Sequence, residues 1–175
     1  MTIWHCNLAV SLDGRIARPD GSVDDWLTDR FPADNEDFDR FLATVDAILM
    51  GRNTYEVVRR SGEWPYPGKP TVVMTTRPLD DAPPEVSPRR GDLAAVVGEM
   101  EAAGYGRVWI EGGGKLVRDM IRLGKLDVLE LAVIPIILGE DIPLFPDGTV
   151  ETTLRLETAK PWMVDAVHLV YRRVG

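Results

Sequence analysis

Two stretches of this sequence run an apolar strand straight into glycine and then into a helix start. They limit the possible folds more than any other feature. The first is Ile48-Leu49-Met50-Gly51-Arg52-Asn53-Thr54-Tyr55; the second is Val108-Trp109-Ile110-Glu111-Gly112-Gly113-Gly114-Lys115-Leu116. At such a junction the free amides of the first helical turn and the positive end of the helix dipole favour a phosphate. Glycine allows close approach of backbone and positive φ. Arg52 adds a guanidinium suited to clamping a phosphate. Either junction alone reads as well as a tight turn. Two in one chain of 175 residues, one of them a triple glycine, point to a phosphate-bearing ligand.

The rest of the pattern supplies the setting. An apolar strand spans about Thr2 to Ser11, followed by turn signals at Asp13-Gly14 and Pro19-Asp20-Gly21 and a long loop carrying Trp26 and Pro32. Asp34-Asn35-Glu36 marks a helix start, with Phe38, Phe41 and Leu42 on one face behind it. Asp46 to Met50 reads as a buried strand, Asn53 onward as a helix, Ser61 to Pro70 as loop and Thr71 to Thr75 as a strand. The proline-rich stretch Arg77 to Arg90 reads as mostly irregular. A helix from about Asp92 to Ala103, a strand Arg107 to Glu111 and a helix Leu116 to Leu123 ended by Gly124 come next. Asp127 to Ile137 reads as a long strand bent or bulged at Pro135, before two closing strands, about Thr152 to Ala159 and Met163 to Arg173. Alternating strands and helices predict a parallel-rich sheet covered on both faces, and the closing pair predicts an antiparallel edge. The expected class is α/β: one domain, residues 1–175, with a mixed central sheet of about eight strands.

Composition narrows the function. The net charge of −8 argues against non-specific nucleic-acid binding, which needs a basic footprint. The single cysteine, Cys6, lies in the first strand, so a disulfide framework is excluded and a reducing, cytoplasmic setting is expected. No apolar run is long enough to span a membrane, and the opening carries no signal-peptide pattern. Neither known glycine fingerprint fits. The Rossmann spacing Gly-x-Gly-x-x-Gly belongs after a first strand, and Gly113-Gly114-Lys115-Leu116 lacks the Ser/Thr that a P-loop needs.

Four segments, in order, carry a resemblance: Asn7-Leu8-Ala9-Val10-Ser11-Leu12-Asp13-Gly14-Arg15-Ile16-Ala17, Met50-Gly51-Arg52-Asn53-Thr54-Tyr55-Glu56, Ile110-Glu111-Gly112-Gly113-Gly114, and Asp127 with Ile134-Pro135-Ile136-Ile137-Leu138-Gly139 and Pro143-Leu144-Phe145. Together they resemble the reductase domain of bacterial bifunctional riboflavin-biosynthesis deaminase-reductases, a branch of the dihydrofolate-reductase-like three-layer fold. The resemblance implies an NADPH-dependent reductase acting on a pterin-like or ribosylaminopyrimidine substrate. Dihydrofolate reduction and a non-catalytic nucleotide-binding module of the same fold are the alternatives. It places Ala9, Ile16 and Ala17 at the nicotinamide and Gly51, Arg52, Asn53 and Thr54 at the phosphates. Thr75, Thr76 and Arg77 would hold the adenosine ribose and its 2′-phosphate. Glu111, Gly112, Gly113, Gly114, Lys115 and Leu116 would form the pyrophosphate loop, with a Gly–Gly bond that is cis in this fold. Two departures stand out. Asp127-Val128-Leu129 replaces the frequent Asp-Glu-Leu, and the zinc signature of the deaminase half is absent, so a stand-alone relative is expected.

Hydride transfer to C=N or C=O requires a proton source. Asp13 and Glu111 are the leading candidates; turn and hydrogen-bonding roles are the alternatives. Asp24 and Asp25 are further candidates, whereas Asp34, Glu36, Asp37 and Asp39 have an acidic helix start and a solvated face as their plainer reading. Trp26 and Trp64 either stack on a flat substrate or anchor their loops on the core. His5 and His168 lie far apart in strand patterns, so neither a metal site nor a catalytic triad is expected. Ile134 to Leu138 and the closing strands offer surface for a second copy, and a homodimer is expected, as is common among the related domains.

Overall fold

The computed structural model describes residues 1–29, 36–163 and 165–175. Its strands are β1 (Ile3–Ser11), β2 (Arg15–Ala17), β3 (Ala47–Gly51), β4 (Thr71–Met74), β5 (Val86–Arg89), β6 (Arg107–Gly112), β7 (Val128–Ile134), β8 (Ile142–Pro143), β9 (Leu154–Trp162) and β10 (Ala166–Arg173). The helices are α1 (Glu36–Ala43), α2 (Arg52–Arg60), α3 (Leu93–Ala102) and α4 (Gly114–Arg122), with one π-helical turn at Asp24–Thr28. The predicted helix start at Asp34 and Asn35, and the loop residue Pro32, lie outside the described residues.

Eight strands form the central sheet in the order β5-β4-β3-β6-β1-β7-β10-β9. All neighbours from β5 to β7 pair in parallel; β10 and β9 pair antiparallel. The fold is the expected mixed α/β sheet of the dihydrofolate-reductase-like class. Side-chain alternation divides the core into two layers. Trp4, Cys6, Leu49, Ile110 and Leu129 face α3 and α4, whose Val97, Met100, Val117 and Met120 pack on them. Ile48, Met50, Val73 and Trp109 face Phe41 of α1 and Tyr55 of α2.

Three sequence expectations need correction. The stretch read as irregular contains β5, a parallel edge strand. Pro88 obscures it in the sequence, yet an edge is where a strand tolerates the lost N–H donor. Pro135 does not bend β7 but follows its end at Ile134. The helix expected from Leu116 begins two residues earlier, at Gly114.

The small sheet of β2 and β8 was not legible in the sequence because it is two to three residues long, too short for any periodicity. It fastens the loop after β1 to the loop after β7; Leu144 N donates to Gly14 O at 2.9 Å. It also presses against the start of α4. A methyl carbon on Gly114 would lie 2.3 Å from Pro143 O and 2.8 Å from Leu144 O, both rigid backbone atoms. Gly114→Ala is therefore expected to lower stability by at least about 1–3 kcal/mol, the usual cost of overpacking, as a reduced midpoint in urea unfolding.

Candidate active site

Because β3 and β6 are parallel neighbours, the two glycine junctions lie side by side. Gly51 faces Gly112 and Gly113: a Cβ on it would sit 3.6 Å from Gly112 O and 3.9 Å from Gly113 N, in ordinary van der Waals contact. The Gly112–Gly113 peptide is cis, as the resemblance implies, and Gly112 has φ of 112°. The helices that leave these junctions, α2 and α4, begin without a side-chain cap, whereas α3 is capped by Asp92 accepting from Ala94 N. Both helix starts thus lack a side-chain acceptor for their leading amides at the carboxyl ends of parallel strands, where α/β sheets bind ligands. Ile16 of β2 and Thr54 of α2 flank the loop, 3.8 and 3.6 Å from where a Gly113 Cβ would be.

Beyond Gly51 lies a cleft of about 370 Å³ lined by Arg52, Thr75, Thr76, Arg77, Arg89 and Arg90, together with Met74 and Gly91. Arg52 is not the free clamp that the sequence suggested. Its Nε donates to Glu56 Oε1 at 2.6 Å and its Nη1 to Thr75 Oγ1, Arg77 O and Pro78 O at 2.9–3.2 Å. Thr75 is buried, and its hydroxyl also accepts from Arg77 N and donates to Arg77 O. Arg52 and Thr75 therefore shape the turn, which leaves Thr76 and Arg77 exposed at the cleft. Arg89 and Arg90 come from the end of β5 and were missed, because the strand that delivers them was not recognised.

Glu111 stands where β6 bulges. Leu49 pairs with Ile110 and the next residue, Met50, with Gly112, so Glu111 is the extra residue. Tyr66 donates to its Oε1 at 2.5 Å, while Oε2 is enclosed without a hydrogen-bond partner. Burial raises its pKa to about 8 against the opposing effect of the Tyr66 bond, so the carboxyl carries a proton at neutral pH. Tyr66 was not singled out by the sequence. It is buried, edge-on to Trp64 at 5.2 Å and to Trp109 at 5.3 Å, and burial raises its pKa too.

Several expected site residues serve the framework instead. Asp13 accepts from Ser11 Oγ at 2.6 Å, Leu138 N at 3.0 Å and Gly139 N at 2.8 Å. These bonds hold its pKa at about 2, so it is ionised and ties two loops together instead of offering a proton. Trp26 is fully enclosed with Ile134 and Ala166, which makes it a core residue and not a stacking platform. Trp64 packs on Tyr55 and Tyr66 and donates to Tyr66 O at 3.2 Å, so it anchors the loop that delivers Tyr66. Leu116 faces the core, Ala17 is buried, Ala9 is half-buried, and Asn53 and Lys115 are exposed. His5 and His168, far apart in sequence, meet at Glu130: His5 Nε2 is 2.8 Å from Oε2, and His168 Nε2 bonds Oε1 at 2.6 Å.

Glu111 has a testable linkage. Its native pKa lies above that of an ordinary carboxyl, so the folded chain holds the proton more tightly than the unfolded chain between about pH 4.5 and 8. Stability from this group is fully present below that window and is lost as pH rises through it. Glu111→Gln is expected to remove that loss: the difference in unfolding midpoint should move in the variant's favour from pH 5 to pH 8.

Comparison with known proteins agrees with this geometry. The chain matches the RibD C-terminal domain family over residues 4–168. It is 38% identical to the uncharacterized protein YwjB of Bacillus subtilis over 168 residues, 95% of each chain. A putative riboflavin biosynthesis protein from Shewanella sp. PV-4 has a similar structure, with a TM-score of 0.88, 25% identity and 99% of both chains covered. A diaminohydroxyphosphoribosylaminopyrimidine deaminase/5-amino-6-(5-phosphoribosylamino)uracil reductase from Thermotoga maritima shares the fold, with a TM-score of 0.72 at 17% identity, over 99% of this chain and 57% of that one. The chain belongs to the RibD C-terminal domain family of reductases.

Proposed function

We propose that the protein is an NADPH-dependent reductase of a pyrimidine-type heterocycle, formed as one domain over residues 1–175. The observation that carries this reading is the pair of uncapped helix starts at Gly51–Arg52 and Gly113–Gly114, set beside a cleft bearing four arginines. The amides of α2 and α4 suit a pyrophosphate. Thr76, Arg77, Arg89 and Arg90 suit a ribose 2′-phosphate, the group that distinguishes NADPH from NADH. Arg90 makes no ion pair among the described residues, so its charge is available to an anion.

NADPH, when bound, supplies the hydride. The chain's own residues do the remaining work. Ala9 and Ile16 leave room for a flat ring beside the glycine loop. Glu111, protonated at neutral pH and one residue before Gly112, is the group that would hold the proton for the reduced atom. Tyr66 fixes the Glu111 carboxyl through Oε1 and is itself fixed by Trp64 and Trp109.

The expected assembly is a homodimer. β9 is an unpaired edge, and its Leu156 lies beside β10, where Val167 is also exposed on the same face. Sedimentation velocity at tens of micromolar should give a dimer; a monomer would overturn this part of the reading.

NADPH fluorescence titration, followed by absorbance loss at 340 nm on adding a diaminopyrimidine substrate, tests the reductase reading. Arg77→Ala is expected to weaken NADPH about tenfold or more, the worth of one charge-assisted hydrogen bond, and to leave NADH unchanged. Equal loss for both cofactors would place Arg77 outside the 2′-phosphate site.

A further inference from the structure

The closing strands are patterned for a face that the fold leaves uncovered. From β7 across β10 to β9, the register sets Val133 beside Val167 and Pro161, Leu131 beside Leu169 and Ala159, and Leu129 beside Tyr171 and Leu156. Leu129, Leu131, Val133, Leu169 and Tyr171 belong to the core layer under α3 and α4, so the whole row points to that side of the sheet. The intervening residues point to the other side, where Ala166 and Trp162 pack with Trp26. In β9 the alternation is sharp. Leu154, Leu156, Ala159 and Pro161 share the first side; Arg155, Thr158 and Lys160 share the second, with Glu157 as the extra residue of a bulge.

A strand that alternates this strictly is built to bury its apolar side. Here that side is open: Leu156 is 50% and Val167 40% exposed, and Ala159 and Pro161 are exposed as well. The topology explains why. All four helices lie in crossovers between parallel strands, whereas β9 and β10 follow β8 as a hairpin and bring no described helix with them. The helical layer therefore has no member to lay over this part of the sheet.

Two observations say what covers it. First, the face is almost free of charge: among its described side chains on β7, β10 and β9 only Arg173, the last residue of β10, is charged. Such a face offers nothing to a partner chosen by charge, and it matches its own copy across a two-fold axis. Second, the free edge of β9 is closed to strand addition. The bulge at Glu157, Lys160 and Pro161 are devices by which edge strands resist a further strand. A second copy must therefore stack on the face and not extend the sheet. Three strands of about eight residues give a flat footprint of roughly 400 Å². Phe145 and Val150 are exposed on the loop that Arg118 and Arg122 hold along α4, on the same side of the sheet. They widen the patch toward the about 800 Å² a side that a stable dimer needs.

We propose that the uncovered face of β7, β10 and β9 is a dimer interface, on which a second copy of this chain stacks the same face and supplies the missing outer layer of the sheet. The proposal rests on the homodimer expected above and not on the reductase chemistry. It has a consequence inside each protomer. Glu130 of β7 and His168 of β10 lie on the opposite side of the same strands, so the partner backs the part of the sheet that carries them.

Sedimentation velocity on the full chain as wild type, Val167→Glu, Leu156→Lys and Thr158→Glu tests this, with circular dichroism and NADPH fluorescence on each. Wild type should be a dimer. Val167→Glu and Leu156→Lys should each raise the dimer dissociation constant about a hundredfold or more, because each substitution enters the two-fold interface twice and buries unpaired charge there. Both positions are exposed in the single chain, so the resulting monomers should keep the wild-type circular dichroism. They should also bind NADPH within about twofold of wild type, because the glycine junctions lie on β3 and β6. Thr158→Glu, on the opposite side of β9, should remain a dimer. A wild-type monomer at tens of micromolar would overturn the proposal together with the homodimer reading and assign the face to a different protein. Dimers that persist in both Val167→Glu and Leu156→Lys, or a Thr158→Glu monomer, would overturn the interface alone. A wild-type dimer that binds no NADPH would overturn the reductase reading and leave the interface standing.

Discussion

The parallel pairing of β3 with β6 is the constraint on which the rest of the site depends. It places two glycine junctions against each other, although about 60 residues of chain separate them. A Cβ at Gly114 would collide with backbone of 143 and 144, and one at Gly51 would rest in ordinary contact with the carbonyl of Gly112. The close approach is therefore a property of backbone, fixed by the sheet and by the β2–β8 latch. Two helices then start at one edge of the sheet without a side-chain cap. With glycine at the N-cap, as at Gly51 and Gly113, the missing side-chain cap costs only about a few tenths of a kcal/mol. The capped start of α3, away from this edge, shows that the chain supplies caps elsewhere.

Polarity is distributed unevenly between the two faces of the sheet. Under α3 and α4 the core is apolar throughout β1, β6 and β7. The other face holds Glu111, Asn7, Glu130, His5 and His168. Buried carboxyls and imidazoles are stabilising only when each is partnered, and breaking one partner is costly. Tyr66 serves Glu111, and Arg107 with the two histidines serves Glu130. The aromatic set Trp64, Tyr66, Trp109, Phe38 and Phe41 surrounds this polar floor and holds the Tyr66 hydroxyl where Glu111 needs it.

Long, strongly patterned elements were legible in the sequence: β1, β3, α3, β6 and the antiparallel β9–β10 pair all fall close to where apolar periodicity puts them. The glycine junctions were legible because glycine before a helix start has a specific physical use. Short or proline-bearing pieces were not. β5 hides behind Pro88, and β2 and β8 have too few residues to show a period. Arg89, Arg90 and Tyr66 were missed for the same reason, since residues in stretches read as loop carry no positional information. Asp13 and Trp26 illustrate the converse. A carboxylate beside a glycine and a tryptophan in a loop look functional in one dimension, yet loop amides occupy the first and the core encloses the second.

By itself the sequence determined the α/β class, the order of the main elements and the two phosphate-suited glycine junctions, because hydrophobic period and glycine chemistry are local properties. Only the tertiary structure decided which distant residues share a neighbourhood. It set Gly51 against Gly113, delivered Arg89 and Arg90 to the cleft, raised the Glu111 pKa through burial at a bulge, and gathered His5, Glu130 and His168 on one face. These are consequences of strand order and register. Burial and charge proximity, which set protonation and binding chemistry, act through space and leave no mark on the spacing of residues along the chain.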